Sequence, residues 1–449
     1  MGKYFGTDGF RGEAGRELTP EKAYRIGRYL GWYFAKEDRP AAILIGMDTR
    51  ISGDMLESAL TAGITASGGL VYPLSITTTP SVAYLVRSEE FDCGIMISAS
   101  HNPFYDNGIK LINREGHKME AEVEEAIEAY IDGCGPEIPY ASREKIGSVV
   151  FFNDGVRLYC EYLKNVPTVS FEGKKIVLDC ANGSASVCAD VIFRALGAET
   201  VVINDQCDGL NINVDCGSTH PEGLLKAVLD HGADMGFAFD GDADRCLAAD
   251  EKGHLIDGDR ILYICGKALS AKGELPENVI VSTVMSNIGF YKACAQAGLS
   301  SHKTAVGDKY VSEEMVRGGY ALGGEQSGHI IFGKHATTGD GILTALMLLQ
   351  TVIESGKKAS ELAEEVRIYP QLLVNVRVTD KKAAQENEAV QAVIAQKEKE
   401  LGESGRILVR PSGTEPLIRV MAEAETSEVC EEVTGAIVAV MKEEGLVTA

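Results

Sequence analysis

Positive charge is scarce in this sequence of 449 residues: 43 Lys and Arg stand against 66 Asp and Glu, a formal net charge of −23. Nucleic-acid phosphates are bound by basic patches in number, so this deficit excludes a nucleic-acid partner. Long apolar runs are also lacking. The charge-free stretch from Ser58 to Val86 is broken by Pro73, Pro80 and many Ser and Thr, and never holds the ~20 apolar residues of a membrane span. The opening MGKYFGTDGF has no apolar signal core, and Gly6 stands where a myristoylation motif needs Ser or Thr. The 11 cysteines include no CxxC pair, which argues against a zinc site, a redox couple or a disulfide framework. The expectation is a cytoplasmic protein with free thiols and with neither membrane nor nucleic acid as partner. What is present is ordinary globular material, 45% hydrophobic and 24% charged, which excludes disorder, collagen and a bare coiled coil.

Strand-like apolar runs alternate with helical patterns almost throughout, the sign of an α/β fold. Thr19-Pro20-Glu21 reads as a helix start, with a capping hydroxyl, proline at the first helical position and an acid in the first turn. That helix continues to Phe34. Ala41–Ile45 reads as a buried strand and Met119–Ile131 as an acidic amphipathic helix. The Gly- and Pro-containing stretch Gly133–Gly147 marks a boundary. A second unit opens with the strand Lys175–Leu178 and a third runs from about His254. The last segment is different: strands at Leu372–Val378, Ile407–Val409 and Ile418–Met421, then a helix over Ser427–Lys442, make a smaller α+β unit. The expected units are 1–150, 151–253, 254–368 and 369–449, packed around a shared cleft.

A weak internal echo links the first three. Cys93–Ile97, Met235–Phe239 and Tyr320–Leu322 are each a short strand discharging a polar, Gly-containing or Ser-containing loop. In parallel α/β sheets ligands sit beyond the carboxyl ends of strands, so three such units would aim three chemical loops at one site.

Asp240-Gly241-Asp242-Ala243-Asp244-Arg245 carries acids at alternate positions, which an extended strand would put on one face. Crowded carboxylates repel, and an oxygen-loving divalent cation offsets that cost; three carboxylates and a phosphate oxygen suit Mg²⁺. Asp240 to Glu251 imitates an EF-hand loop, but its sixth position is Arg245 instead of Gly, and the preceding run is strand-like. A solvated acidic turn is the plainer alternative. Ser98-Ala99-Ser100-His101-Asn102-Pro103 sets hydroxyls beside an imidazole without a G-x-S-x-G elbow. Adjacent residues seldom align a hydroxyl and an imidazole, so a serine used in phosphoryl transfer beside a metal fits better than a hydrolytic triad. Arg410-Pro411-Ser412-Gly413-Thr414-Glu415-Pro416 follows a strand and combines a guanidinium, hydroxyls and a Gly that admits an anion to backbone N–H groups, with Arg419 adding a second guanidinium. Gly324-Glu325-Gln326-Ser327-Gly328-His329 offers a carboxylate and a hydroxyl to sugar hydroxyls, and His329 to phosphate or to proton transfer. Each of these two loops also reads as a polar surface turn.

Together with Phe5-Gly6-Thr7-Asp8-Gly9-Phe10-Arg11-Gly12, these loops resemble the α-D-phosphohexomutase superfamily, in the expected order and over nearly the whole chain. Val306-Gly307-Asp308-Lys309-Tyr310-Val311 and Ser286-Asn287-Ile288-Gly289 look like its glucosamine branch. Ala243 departs from the Gly common there, and Phe10 from Ile. The resemblance implies three similar mixed α/β domains and a C-terminal phosphate-binding α+β domain around a central cleft. It implies interconversion of glucosamine 6-phosphate and glucosamine 1-phosphate, for UDP-N-acetylglucosamine and cell-wall synthesis. A phosphoserine enzyme, a 1,6-bisphosphate intermediate that also serves as activator, one Mg²⁺ per site and a homodimer belong to the same expectation. On this resemblance Ser100 matches the phosphorylated serine, and Asp240, Asp242 and Asp244 match the Mg²⁺ ligands, with Ser100 completing the set through its phosphate. Glu325 and Ser327 match the sugar contacts, and Arg410, Ser412, Gly413, Thr414 and Arg419 the distal phosphate clamp. Arg11, His101, Lys110, Arg245 and His329 match surrounding polar positions that bind substrate or share acid and base roles. The alternatives are phosphoglucomutase or phosphomannomutase activity in the same superfamily, a sugar-phosphate binding protein without turnover, and a metal-dependent phosphatase.

Overall fold

Thr19 caps a helix over Pro20–Tyr33, its hydroxyl accepting from the Lys22 amide at 3.4 Å, with proline in the first turn as its sequence predicts. Two glycines then set how this helix packs. A Cβ on Gly27 would fall 2.3 Å from the Leu60 carbonyl oxygen, and one on Gly63 2.2 Å from that of Tyr24, so the helix crosses Gly53–Ala66 at backbone contact. The computed structural model describes residues 2–412 and 416–448.

Four sheets carry the chain. The first holds β1 (Phe5–Gly6), β2 (Gly9–Glu13), β3 (Ala42–Met47), β4 (Leu70–Ile76), β5 (Cys93–Ile97) and β6 (Asp106–Asn113) in the order β1-β2-β6-β5-β3-β4. The second holds β7 (Lys175–Asp179), β8 (Glu199–Ile203), β9 (Met235–Phe239), β10 (Cys246–Ala249) and β11 (Leu255–Ile256) in the order β11-β10-β9-β7-β8. The third holds β12 (Val279–Thr283), β13 (Ser300–Thr304), β14 (Leu322–Gly324) and β15 (Ile330–Phe332) in the order β13-β12-β14-β15. In each, a parallel core continues into an antiparallel strand: β5 into β6, β9 into β10, β14 into β15. β5 and β9 are buried along their whole length, as strands covered on both faces must be, which is why they read as unbroken apolar runs. The fourth sheet is antiparallel, β16 (Gln371–Arg377), β17 (Arg406–Pro411) and β18 (Leu417–Glu423) in the order β16-β18-β17. Val376, Ile418 and Val420 form its core with Val390, Ile437 and Met441 from two helices.

Two element boundaries differ from the sequence expectation for identifiable reasons. The strand expected at Tyr320–Leu322 lies at Leu322–Gly324, because Gly323 pairs with both Val281 and Ile331 and the glycines belong to the ladder. The helix expected from Met119 starts at Ala121, since the Met119 amide is taken by the Leu111 carbonyl at 3.0 Å. The stretch 133–147 has no α-helix but is pinned to the first sheet's side: Ala141 donates to Ala66 O (2.9 Å) and Gly147 to Thr65 O (3.0 Å).

The chain divides into two compact units, one of Met1–Met285 with Gly298–Glu365, the other of Ser286–Ala297 with Val366–Ala449. All cysteines are free thiols, and only Cys134 and Cys207 are exposed. Among the described residues no helix is long and apolar enough to cross a membrane.

Candidate active site

In the larger unit, the loops after β5 and β9 meet. Ser100 is buried, and its hydroxyl donates to Asp240 Oδ2 at 2.5 Å. Its Oγ lies 3.4 Å from His101 Nδ1, so the adjacent imidazole does reach the hydroxyl, contrary to the sequence expectation. The left-handed φ of +53° at Ser100 turns the chain enough to bring the two side chains to one side.

Asp240, Asp242 and Asp244 are buried, with one carboxylate oxygen from each within 4.8 Å of the others. They converge through a turn rather than along an extended strand. Ala243 sits at φ +56°, and its amide bonds back to the Asp240 carbonyl at 3.0 Å. Burial first, then Asp244 and Asp242, pushes the Asp240 carboxyl well above the usual range. Burial acts the same way on Asp244, but Lys110, His329 and Arg245 outweigh it and hold that carboxyl below its usual range. Asp242 Oδ1 and Asp244 Oδ1 are buried without a hydrogen-bond partner. An all-oxygen set with orphaned carboxylate oxygens fits a hard divalent cation such as Mg²⁺.

Basic groups ring the triad. Lys110 Nζ lies 2.7 Å from Asp242 Oδ2, 3.1 Å from Asp8 and 3.4 Å from Asp244. Burial opposes its charge, yet Asp242, Asp8 and Asp244 hold the ammonium well above its usual range. Arg11 pairs with Asp8, and Arg245 Nε is 3.9 Å from Asp244 Oδ1. Burial, then Arg245 and Arg11, push the His101 imidazole down to about 4, so it is neutral near pH 7. His329 Nδ1 faces Asp244 Oδ2 at 3.6 Å while Nε2 accepts from the Gly339 amide at 3.0 Å. Burial disfavours a charged ring, but Asp244 outweighs it and raises the imidazole. The Gly339 amide needs a lone pair on Nε2 and so opposes that charge; on this geometry the Nε2 site is unprotonated and the ring's proton sits on Nδ1, toward Asp244. Glu325 accepts from the Gly307 amide at 3.1 Å, and Ser327 is exposed.

Several residues here escaped sequence reasoning. Thr79 donates to Asp242 Oδ2 at 2.5 Å from the start of a helix. Lys118 Nζ joins Asp8 (3.0 Å) to Asp308 (2.6 Å). Asp8 and Asp308 lie in motifs quoted for resemblance, whereas Thr79 and Lys118 carry no sequence signal. A small cavity of about 30 Å³ is lined in part by Asp8, Thr79, Lys110, Lys118, Asp244 and Asp308.

The smaller unit holds the other expected group. Arg410 and Arg419 face each other in the β17–β18 register, both with Nε buried and unpartnered. Like charges directly opposite destabilise a sheet, and burial, then Arg419, lower the Arg410 guanidinium from its ordinary value. An anion between such groups relieves both costs. Ser412 is buried, and its carbonyl accepts from Lys381 Nζ at 2.9 Å, a cation sequence reasoning missed. Gly413 and Thr414 lie outside the described residues.

Mixed sheets thus bring a serine loop and an aspartate loop to one buried point. The chain belongs to the phosphoglucomutase/phosphomannomutase family: residues 2–134 match its alpha/beta/alpha domain I, 157–253 domain II, 257–369 domain III and 373–440 its C-terminal domain. Within it, the chain is 56% identical over 449 residues to the phosphoglucosamine mutase of Lachnoclostridium phytofermentans, covering 100% of both chains. It is 51% identical over 444 residues to the phosphoglucosamine mutase of Bacillus subtilis, covering 99% of each. A phosphoglucomutase/phosphomannomutase family protein from Burkholderia thailandensis shares the fold at a TM-score of 0.80 and 22% identity, covering 99% of this chain and 98% of that one. The N-acetylphosphoglucosamine mutase of Aspergillus fumigatus, solved in complex with GlcNAc-6P and magnesium, shares it at 0.67 and 19%, covering 99% and 96%.

Proposed function

We propose that this chain is the mutase that interconverts glucosamine 6-phosphate and glucosamine 1-phosphate, with Ser100 as phosphoryl carrier and Asp240, Asp242 and Asp244 as Mg²⁺ ligands. The reading is carried by the Ser100 hydroxyl lying 2.5 Å from Asp240 within a buried carboxylate triad. Full-length identity to enzymes named phosphoglucosamine mutase supports the amino sugar as substrate, and an Aspergillus relative of the fold binds both magnesium and an amino-sugar phosphate.

Phosphoserine carries about −1.5 to −2 charge near neutrality, so three aspartates alone would repel it. Asp240, Asp242 and Asp244 would hold a divalent cation whose charge would offset that of the phosphoserine and supply Lewis-acid stabilisation to the phosphoryl group. Lys110, Arg11 and Arg245 supply fixed positive charge around the same point, where charge spreads over the equatorial oxygens during transfer. The Oγ–P bond of Ser100 breaks as a sugar hydroxyl oxygen bonds phosphorus, and that hydroxyl's proton passes to a nearby base. The Ser100 Oγ that leaves takes up a proton in turn, and His101, 3.4 Å away, is the imidazole on that side of the phosphorus, while His329 keeps its proton toward Asp244. Glu325 and Ser327 take sugar hydroxyls. Arg410, Ser412, Gly413, Thr414 and Arg419 take the phosphate that is not being transferred. The resulting 1,6-bisphosphate turns over and returns its other phosphate to Ser100. A homodimer in the cytoplasm, primed by a sugar bisphosphate, completes the reading on the strength of the family resemblance.

The test compares kcat/KM on glucosamine 1-phosphate, glucose 1-phosphate and mannose 1-phosphate with Mg²⁺ and a bisphosphate primer. We expect the amino sugar to be preferred. Preference for a neutral sugar, release of free phosphate, or binding without turnover each replaces this reading with another.

A further inference from the structure

The reactive serine is held by its main chain, and two of the residues that hold it, Arg50 and Asn213, lie outside every motif assigned above. Arg50 follows β3 and is completely buried, with Nη1 2.6 Å from Asp48 Oδ2. Its Nη2 donates to the Ser100 carbonyl (3.0 Å) and to the Asn102 carbonyl (2.5 Å), and Nε to the Asp106 carbonyl (2.8 Å). One planar fork thus templates the whole turn from Ser100 to Asp106. From the second sheet's side, Asn213 Nδ2 donates to the same two carbonyls, Ser100 at 3.0 Å and Asn102 at 3.3 Å. The Ser100 amide donates to Ser98 Oγ (2.9 Å), which donates to Asp48 Oδ2 (2.6 Å).

Ser100 needs this support. Its φ of +53° is a left-handed conformation that a non-glycine residue keeps only where its surroundings over-determine it. Both lone pairs of its carbonyl are filled, by Arg50 and by Asn213, so the peptide cannot rotate without breaking two buried hydrogen bonds. Rotation there would swing Oγ off the aspartates. Asn213 is itself left-handed at φ +59° and is tied by its amide to the Ala181 carbonyl at 2.9 Å. Its Oδ1 has no partner, so the side chain acts through Nδ2 alone.

We infer that Arg50 and Asn213 are positioning residues for the phosphoryl-carrying serine, clamping the Ser100 carbonyl so that Oγ stays aimed at the carboxylate triad through both transfers. The inference rests on the reading of Ser100 as carrier.

The experiment labels wild type, Asn213→Gly and Asn213→Asp on Ser100 with a radioactive bisphosphate and follows single-turnover transfer to glucosamine 1-phosphate. Glycine tolerates the left-handed backbone and removes only the donor, while aspartate keeps the size and replaces the donor by an acceptor. We expect both variants to stay folded, with the transfer rate falling about 10- to 100-fold, aspartate more than glycine, and KM within about twofold of wild type. Arg50→Lys, which can reach only part of the carbonyl set, should show a comparable loss. A wild-type transfer rate in folded Asn213→Gly, or a loss confined to thermal stability, overturns the inference. Wild type that takes no label fails the Ser100 reading itself, which separates the two outcomes.

Discussion

Ser100 Oγ and Asp240 Oδ2 lie 2.5 Å apart although 140 residues separate them. The contact joins the loops of two different sheets, and it places a nucleophilic hydroxyl on the carboxylate cluster best suited to a cation. Ser100→Ala is expected to abolish mutase turnover and the covalent phosphate seen by intact-protein mass spectrometry. Thermal unfolding should stay cooperative, because the turn is held by main-chain bonds that the substitution keeps. Residual turnover at the wild-type level would remove Ser100 from the reaction.

Gly241 makes that contact possible. A Cβ there would lie 2.5 Å from the Ser100 carbonyl oxygen and 2.8 Å from Ile212 Cδ1. Gly241→Ala must push the serine and aspartate loops apart, at a cost of about 1–3 kcal/mol in packing. A displacement near 1 Å is expected to lower kcat about 100-fold. Steady-state kinetics with a melting curve checks both numbers, and an active, equally stable variant would show that the loops are free to separate.

Asp242 both fits the cation and neutralises Lys110. Chelation with EDTA should silence the enzyme and added Mg²⁺ should restore it. Asp242→Asn should raise the Mg²⁺ concentration for half-activity by more than the about 10- to 100-fold typical of losing an outer-shell partner. An unchanged Mg²⁺ titration would exclude this carboxylate as a ligand.

In the smaller unit, Arg419→Ala removes one of two facing guanidinium groups. A charge-assisted phosphate contact is worth about 1.5–3 kcal/mol, so KM for the sugar phosphate is expected to rise about 10- to 100-fold. Stability should hold or improve, since the like-charge pair is relieved. A fall in stability with KM unchanged would make the pair structural.

The Asp340 carboxyl gives a pH-dependent prediction. Burial pushes it up to about 6, against the amide of Leu343 and the Tyr159 hydroxyl, which donates at 2.8 Å. Its folded pKa exceeds the unfolded value near 3.8, so its stabilising share is complete below about pH 4 and is lost as pH rises through 6. The loss amounts to about 3 kcal/mol by pH 7. Asp340→Asn keeps a helix-capping oxygen and cannot ionise. The melting temperature of the variant relative to wild type should therefore climb between pH 4 and pH 7 and level off above; a flat difference would place the titration elsewhere.

Unbroken apolar runs located β5 and β9, because strands covered on both faces have no polar positions to confuse the pattern. The reactive loops were legible for a local reason: hydroxyls, carboxylates and guanidinium groups crowd into short segments after strands. Packing settled what no local pattern encodes. The antiparallel returns β6, β10 and β15 make each chemical loop a hairpin, and the glycines of β14 read as loop until their partners on either side are known. The aspartates share a point through a left-handed Ala243, not through strand alternation. Lys118, Thr79, Arg50 and Asn213 look ordinary in sequence, since each acts on atoms tens or hundreds of residues away. Residue chemistry is written along the chain; the distances that turn it into a site exist only once separate sheets pack together.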